Sequence, residues 1–355
     1  MDAATIARHR LHNHHITQPR LQTPSEVVGW LGAIQGQDYA GAKWSIGLRL
    51  PGSTDASIER AFDERAIVRS WLLRGTLHVV AADDLGWMLD LIAPRVIAGN
   101  ARRYRELELD DATLARSNDI LAAALRDGAQ RERGELLAIL EQHGISTAGQ
   151  RAAYMLQRAS LDGLICQGAA RRNKPTFYAF DHLPRSRTLV RDEALAKLAR
   201  RYFTSRGPAT LQDFIWWSGL AASDARAGLE SIRSELVAET VNGAQAWRPA
   251  SEPPGGELPP VLLPGFDEYL LGYQDRSAVL DPRFAQQVVP GGNGMFSPTI
   301  AIGGRVVGTW KRDVKKHAVV LTRKLFEPLS DEDLRAFERA AQPYGAFLGL
   351  PVTQG

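Results

Sequence analysis

Two carboxamides one glycine apart, Gln35-Gly36-Gln37, interrupt an otherwise apolar segment, and Asp38 follows them. In extended backbone side chains alternate, so residues 35 and 37 share a side, whereas on a helix they diverge. Gly36 removes the side chain between them and lets a ligand approach the main chain closely. An amide has no useful proton-transfer state near pH 7, so it is no ordinary general base. It can hold a water on its carbonyl oxygen and present a dipole to a developing cation. Gln35 and Gln37 are therefore the candidate catalytic pair. Asp38 is a rival base, although an adjacent residue points away from the pair in extended chain. The triplet is short, and its meaning depends on the rest of the chain.

Other reactive side chains point elsewhere. His9, His12, His14 and His15 crowd one N-terminal stretch, but no carboxylate or thiol joins them at ligand spacing, and no metal is expected. A single cysteine, Cys166, excludes an internal disulfide and sits in an apolar run, as a buried structural thiol does. There is no Gly-x-Ser-x-Gly, and neither Gly303-Gly304 nor the run 291–294 is followed by Gly-Lys-Ser/Thr. No cofactor, nucleotide cofactors included, is expected.

Lys and Arg number 43 against 40 Asp and Glu, a net charge of +3. Any nucleic-acid surface must therefore be local and balanced by acidic faces elsewhere. The candidate DNA contacts are Lys43, Arg69, Arg74, His78, Arg102, Arg103, Arg171, Arg172, Lys174, Arg305, Lys311 and Arg312. Contacts of this kind bind phosphate and supply affinity without sequence information. His78 reads equally as a structural hydrogen-bonding residue.

The elements that must position these groups repeat one grammar: helix, helix, then two strands joined by a basic or glycine-containing turn. That is the winged-helix pattern. The first instance has helices at 3–14, 25–34 and 57–65, strands at 67–73 and 77–80, and further helices at 85–92, 95–106 and 111–126. Thr23-Pro24 supplies a cap and a favoured first-turn proline for the second helix, and Asp83 is read as a cap for the helix at 85–92. The second instance has helices at 133–143 and 147–163 and strands at 164–168 and 176–180, with Arg171 to Lys174 as wing tip. The third has helices at 193–204, 210–218 and 224–236 and a wing over 237–247 turning at Asn242-Gly243. Residues 249–260 are Pro-, Gly- and Glu-rich and read as a linker. Beyond them the chain becomes β-rich, with strands at 261–263, 288–289, 299–302, 306–310 and 319–322. Ile302-Gly303-Gly304-Arg305 is a hairpin signal, and a helix at 331–341 follows. The expected fold is α+β: winged-helix modules at 1–126, 127–185 and 186–250, then a small β-rich domain at 258–355 that includes the terminal helix.

On these features the chain resembles the winged-helix DNA glycosylases of the AlkZ-like and YcaQ-like family. The resemblance covers nearly the whole chain. It is carried by Gln35-Gly36-Gln37, by the run from Arg69 to His78 (RSWLLRGTLH), by Leu263 to Tyr273 (LPGFDEYLLGY) with Asp275-Arg276, and by Val306-Val307-Gly308-Thr309-Trp310. Gln37 at the second amide position places it on the AlkZ side. The resemblance implies a DNA glycosylase that excises bulky N7-alkylguanines, some in interstrand crosslinks, in DNA repair or self-resistance to a genotoxin. It makes Gln35 and Gln37 catalytic, and its partner is double-stranded DNA carrying alkylated guanine.

An N7-alkylated guanine already carries a positive charge and leaves without a general acid. What remains is to stabilise an oxocarbenium-like sugar and direct water onto it. Gln37 would position the water, and Gln35 would support it or the sugar-phosphate. No lysine adjoins the motif, Lys43 being the nearest, so a monofunctional reaction without strand scission is expected. Asp267, Glu268, Tyr269, Asp275 and Arg276 read as a buried polar network. Arg305 lies near the tip of a hairpin that could probe a groove or be plainly structural. Residues 1–15 lack the apolar core of a signal peptide, and no run approaches the roughly 20 apolar residues of a membrane span. A cytoplasmic, nucleoid-associated monomer in a bacterium is expected. Two rival readings stay open at this point, a non-catalytic winged-helix DNA-binding protein or regulator and a protein-interaction module.

Overall fold

A computed structural model describes the chain except residues 173, 185–187, 242, 293 and 329 and the side chain of residue 127. Asn173 of the expected wing tip, Asn242 of the expected turn and Asn293 of the glycine run lie outside the described residues. The fold mixes helices and sheets, as expected of an α+β protein. The chain gathers into two compact units, one joining Met1–Ile58 to Leu195–Gly355 and the other comprising Glu59–Ala194.

In the unit Glu59–Ala194, five strands pair antiparallel in the order Leu77–Ala81, Ile67–Trp71, Ile165–Gln167, Thr176–Ala179, Arg131–Glu132. Helices Arg133–Gln142 and Arg151–Leu161 precede the Ile165–Gln167/Thr176–Ala179 pair. Their apolar faces, through Leu136, Leu140, Met155, Leu156 and Ala159, close a core with Ile165 and Phe177. The helix expected at 85–92 begins earlier, its cap residue being Ala81, with Asp83 in the first turn. It runs through Pro94 to Gly99, so the break expected before residue 95 falls at Asn100. There the N–H of Asn100 still bonds back to Val96 and Ile97.

In the other unit, a three-stranded sheet has the order Ala209–Thr210, Ala244–Arg248, Val237–Val241. Ala209–Thr210 leads into helices Leu211–Ser218 and Ala222–Ile232, and the pair Val237–Val241 and Ala244–Arg248 follows them in the manner of a wing. A five-stranded sheet runs in chain order through Val261–Leu263, Thr299–Ile302, Arg305–Val314, Val319–Leu325 and Val352–Gln354. All its neighbours are antiparallel except the last pair. Gly303 and Gly304 both take positive φ (57° and 80°), the two-residue turn that suits the right-handed twist of flanking strands. Ile302 accordingly pairs with Arg305. The pair Val288-Val289, expected as strand, is helical at its first member, closing the short helix Ala285–Val288. The terminal helix extends past the expected residue 341, through Pro343, to Leu348, where Gly349 caps it in the left-handed conformation.

The helix that follows the amide motif, Tyr39–Leu48, packs on this terminal helix. Trp44 meets Tyr344 and Phe347 at ring distances of 5.0 and 5.2 Å and donates its Nε1–H to Leu262 O at 2.7 Å. Gly47 leaves the room for Phe347, since a Cβ there would lie 2.5 Å from the ring. Gly47→Ala therefore lowers stability by about 1–2 kcal/mol. Overpacking costs about 1–3 kcal/mol, and the better helix propensity of alanine offsets up to about 1 kcal/mol of it. A drop in thermal midpoint checks this, and an unchanged midpoint would mean the two helices part easily.

Candidate active site

The motif lies between two helices whose ends are set by their own sequence. Helix Pro24–Leu31 starts with Thr23, whose Oγ1 accepts from Glu26 N, and with proline in its first turn. It stops at Gly32, with φ 78°, three residues short of the expected end. Ile34–Gln35 is extended. Asp38 then caps helix Tyr39–Leu48, its Oδ1 accepting from Gly41 N at 3.0 Å.

The two amides are not equivalent. Gln35 is only 6% exposed, whereas Gln37 is exposed. The backbone N–H of Gln35 donates to Glu268 Oε1 at 3.1 Å. Glu268 is fully buried, and its Oε2 accepts from Arg206 Nη2 at 2.6 Å and from Trp217 Nε1 at 2.8 Å. Arg206 in turn donates to the carbonyls of Leu31 (2.7 Å) and Ala33 (3.3 Å), and its guanidinium lies 4.4 Å from the Trp217 ring centroid. One carboxylate and one guanidinium thus hold the main chain leading into the motif.

On the far side, Asp38 pairs with Arg312 Nη2 at 3.0 Å. The rival base therefore caps a helix and bonds a guanidinium, and both roles occupy its oxygens. A second buried pair lies one helical stretch on. Arg49 bonds both oxygens of Asp267 at 2.8 and 2.9 Å, with Ser45 Oγ donating at 2.8 Å. Burial would raise the Asp267 pKa, but the Arg49 guanidinium and these hydrogen bonds hold it below the usual carboxylate value. His14, wedged between Arg49 and the Tyr273 hydroxyl, is driven well below the ordinary imidazole pKa by burial, then by Arg49, so it stays neutral.

The expected network among Asp267, Glu268 and Tyr269 is buried; Asp275 is exposed and Arg276 is half-buried. The sequence reading did not connect Glu268 to Gln35, nor Arg206 and Trp217 to either. Its one signal was the acidic pair inside an apolar string, Gly265-Phe266-Asp267-Glu268-Tyr269.

The candidate DNA contacts fall into three groups. Lys43 is buried against Asp55 (2.8 Å), and Arg312 is turned to Asp38, so neither offers a free cation to phosphate. Arg69 bonds Gln167 Oε1 at 2.8 Å, and the His78 ring bonds Thr76 O at 3.0 Å. Arg74 takes positive φ (56°) in the short turn Leu73–Gly75. Arg102, Arg171, Arg172, Lys174, Arg305 and Lys311 are exposed, and Arg103 is partly so. Arg102 and Arg103 share Glu106, and Lys174 pairs with Glu132. Such surface pairs are weak and exchange readily for phosphate. Cys166 is buried, its thiol pushed up to about 12 by burial, which makes it a poor nucleophile. Among the described residues no group of three or more His, Cys, Asp or Glu could hold a metal ion, and no helix is long and apolar enough to cross a membrane.

A family model described as DNA glycosylase AlkZ-like matches residues 28–347. A Streptomyces sahachiroi protein named interstrand DNA cross-link repair glycosylase is 27% identical over 317 residues, 83% of this chain and 84% of the relative. The solved structure of Streptomyces sahachiroi DNA glycosylase AlkZ superposes with a TM-score of 0.80 at 24% identity, covering all of both chains, and so shares the fold. With the family model spanning most of its length, the chain belongs to the AlkZ-like DNA glycosylase family.

Proposed function

We propose that this DNA glycosylase hydrolyses the N-glycosidic bond of bulky N7-alkylguanines in double-stranded DNA, crosslinked ones included, without cutting the strand. The observation that carries this reading is the unequal pair of amides, Gln35 held inside by Glu268 and Gln37 presented outside. The crosslink part leans on the name of the Streptomyces sahachiroi relative. The reading keeps the three winged-helix modules at 1–126, 127–185 and 186–250, the β-rich domain at 258–355, and a monomer working on DNA inside a bacterial cell. Arg102, Arg103, Arg171, Arg172, Lys174, Arg305 and Lys311 supply its phosphate contacts.

In the reaction the C1′–N9 bond breaks and its electrons quench the positive charge of the alkylated base, which departs neutral. The sugar acquires oxocarbenium character. Gln37 holds a water by its carbonyl oxygen beside C1′, the water oxygen bonds to that carbon, and its proton passes to solvent. Unmodified guanine is a poorer leaving group, and with no general acid to assist it, it stays in place.

The test is incubation with duplexes carrying different N7-alkylguanines and with unmodified duplex. Free alkylated base and alkali-labile abasic sites are expected from the former, with the strand intact before alkali. No release from any N7 adduct would overturn the reading.

A further inference from the structure

We propose that Trp216 and Arg276 frame a nucleotide pocket separate from the amide motif, in which one unstacked nucleotide places its base on the indole and its phosphate on the guanidinium. The choice of a nucleotide rests on the DNA glycosylase function; the pocket itself rests on geometry. A cavity of about 410 Å³ is bordered by Trp216, Arg276, Phe296, Leu280, Val289 and Gln286. Small-molecule sites begin at about 300 Å³, so one nucleotide unit is of the right scale.

Trp216 is 41% exposed, one of the few large apolar side chains left open to solvent. Its neighbour Trp217 is buried on Glu268, so the two indoles on helix Leu211–Ser218 do different work. An open indole is a stacking platform for any base. The Arg276 guanidinium lies 5.7 Å from the Trp216 ring centroid and 4.9 Å from that of Phe296. Its Nε and Nη1 are tied to the carbonyls of Leu270 (2.8 Å) and Gln274 (3.3 Å). Its Nη2 is buried with no hydrogen-bond partner among the described residues.

Two carboxylates act on this cation through space, Asp213 and Asp275, yet burial prevails and lowers its pKa. Asp213 is already engaged by the N–H groups of Gln274 and Thr210 and by the Thr210 hydroxyl. A partly buried cation beside a cavity, held by neutral carbonyls and aromatic faces, gains most from an anion that brings its own acceptors. An aromatic ring joined to a phosphate satisfies both walls. Asp275-Arg276 also belongs to a string that marks the chain as family-like, while the contacts of the amide motif run through Glu268 instead.

Fluorescence anisotropy reads the pocket without any base release. Two labelled duplexes are compared, one fully paired and one with a single-nucleotide bulge. The bulged duplex should bind tighter by about tenfold, the scale of one base–aromatic stack. Trp216→Ala and Arg276→Gln should abolish that preference and leave the fully paired affinity unchanged. Trp216 is open to solvent, so its variant is expected to fold even if the arginine variant does not; thermal midpoints check both. Titration with a deoxynucleoside monophosphate separates the sources. Binding of the free nucleotide that needs both residues, with no preference for the bulge, would overturn the strand assignment. No response of either probe to either substitution, at unchanged midpoint, would overturn the pocket. Base release by the unaltered protein, measured separately, distinguishes failure here from failure of the glycosylase reading.

Discussion

Alanine in place of Gln37 lowers the single-turnover rate of N7-alkylguanine release by about 10²–10³-fold, the scale of one preorganised dipole at a developing charge, while duplex affinity holds. Gln37 is exposed, so truncating it opens no cavity. The loss should therefore appear in the chemical step and not in the thermal midpoint. Gln35→Ala behaves differently. That side chain is buried, so the variant loses packing as well as rate, and its midpoint falls. Asp38→Asn is the discriminating control. Its cap on helix Tyr39–Leu48 survives in part, because asparagine is as good a cap as aspartate. The charge offered to Arg312 is gone. A modest rate loss is expected if Gln37 holds the water. A loss in Asp38→Asn as large as in Gln37→Ala would make the carboxylate the base, and wild-type rates in both amide variants at intact DNA binding would remove the motif from the chemistry altogether.

What could be read from the sequence was what is local. The Gly303-Gly304 turn was legible because two adjacent positive-φ residues demand glycine and fix the register of their strands. The cap at Thr23-Pro24 was legible for the same kind of reason. The helix expected at 133–143 was legible from its apolar residues Leu136, Leu137, Ile139 and Leu140, of which Leu136 and Leu140 are buried and the other two partly so. Illegible were the partners of charges. Lys43 and Arg312 looked like phosphate ligands because nothing in a linear string shows Asp55 beneath one or Asp38, 274 residues away, against the other. Glu268 meets Gln35 across 233 residues. A carboxylate inside an apolar run signals that some cation must be buried with it, but not which of 43. The grouping of Met1–Ile58 with Leu195–Gly355 was hidden likewise, since it depends on tertiary contacts that leave no periodicity. Pro94 and Pro343 mark a difference in the opposite direction. The helices expected to end at residues 92 and 341 run on through these prolines, each of which is accommodated inside its helix.

The Arg206–Glu268 pair carries the largest expected effect on stability. Both side chains are fully buried and 2.6 Å apart. Arg206→Met leaves Glu268 inside with Trp217 and the Gln35 N–H as its remaining partners among the described residues, and should cost about 3–5 kcal/mol, the usual penalty for an orphaned buried charge. Glu268→Gln should cost a similar amount by stranding the guanidinium. The double variant should lose less than the sum of the two, because it leaves no uncompensated charge. Denaturant titration of the four proteins measures this, and additive losses would mean that the two groups are stabilised independently. The same cycle also bears on chemistry. Arg206 grips the carbonyls of Leu31 and Ala33, and Glu268 takes the N–H of Gln35, so three successive points of main chain hang from one ion pair. A double variant that regains stability should still release base slowly, since methionine cannot donate to the carbonyls of Leu31 and Ala33, even though glutamine can still accept from the Gln35 N–H. Recovery of stability without recovery of rate is the signature expected of a pair that positions the amides. Recovery of both would reduce it to a packing element whose charge the reaction never needed.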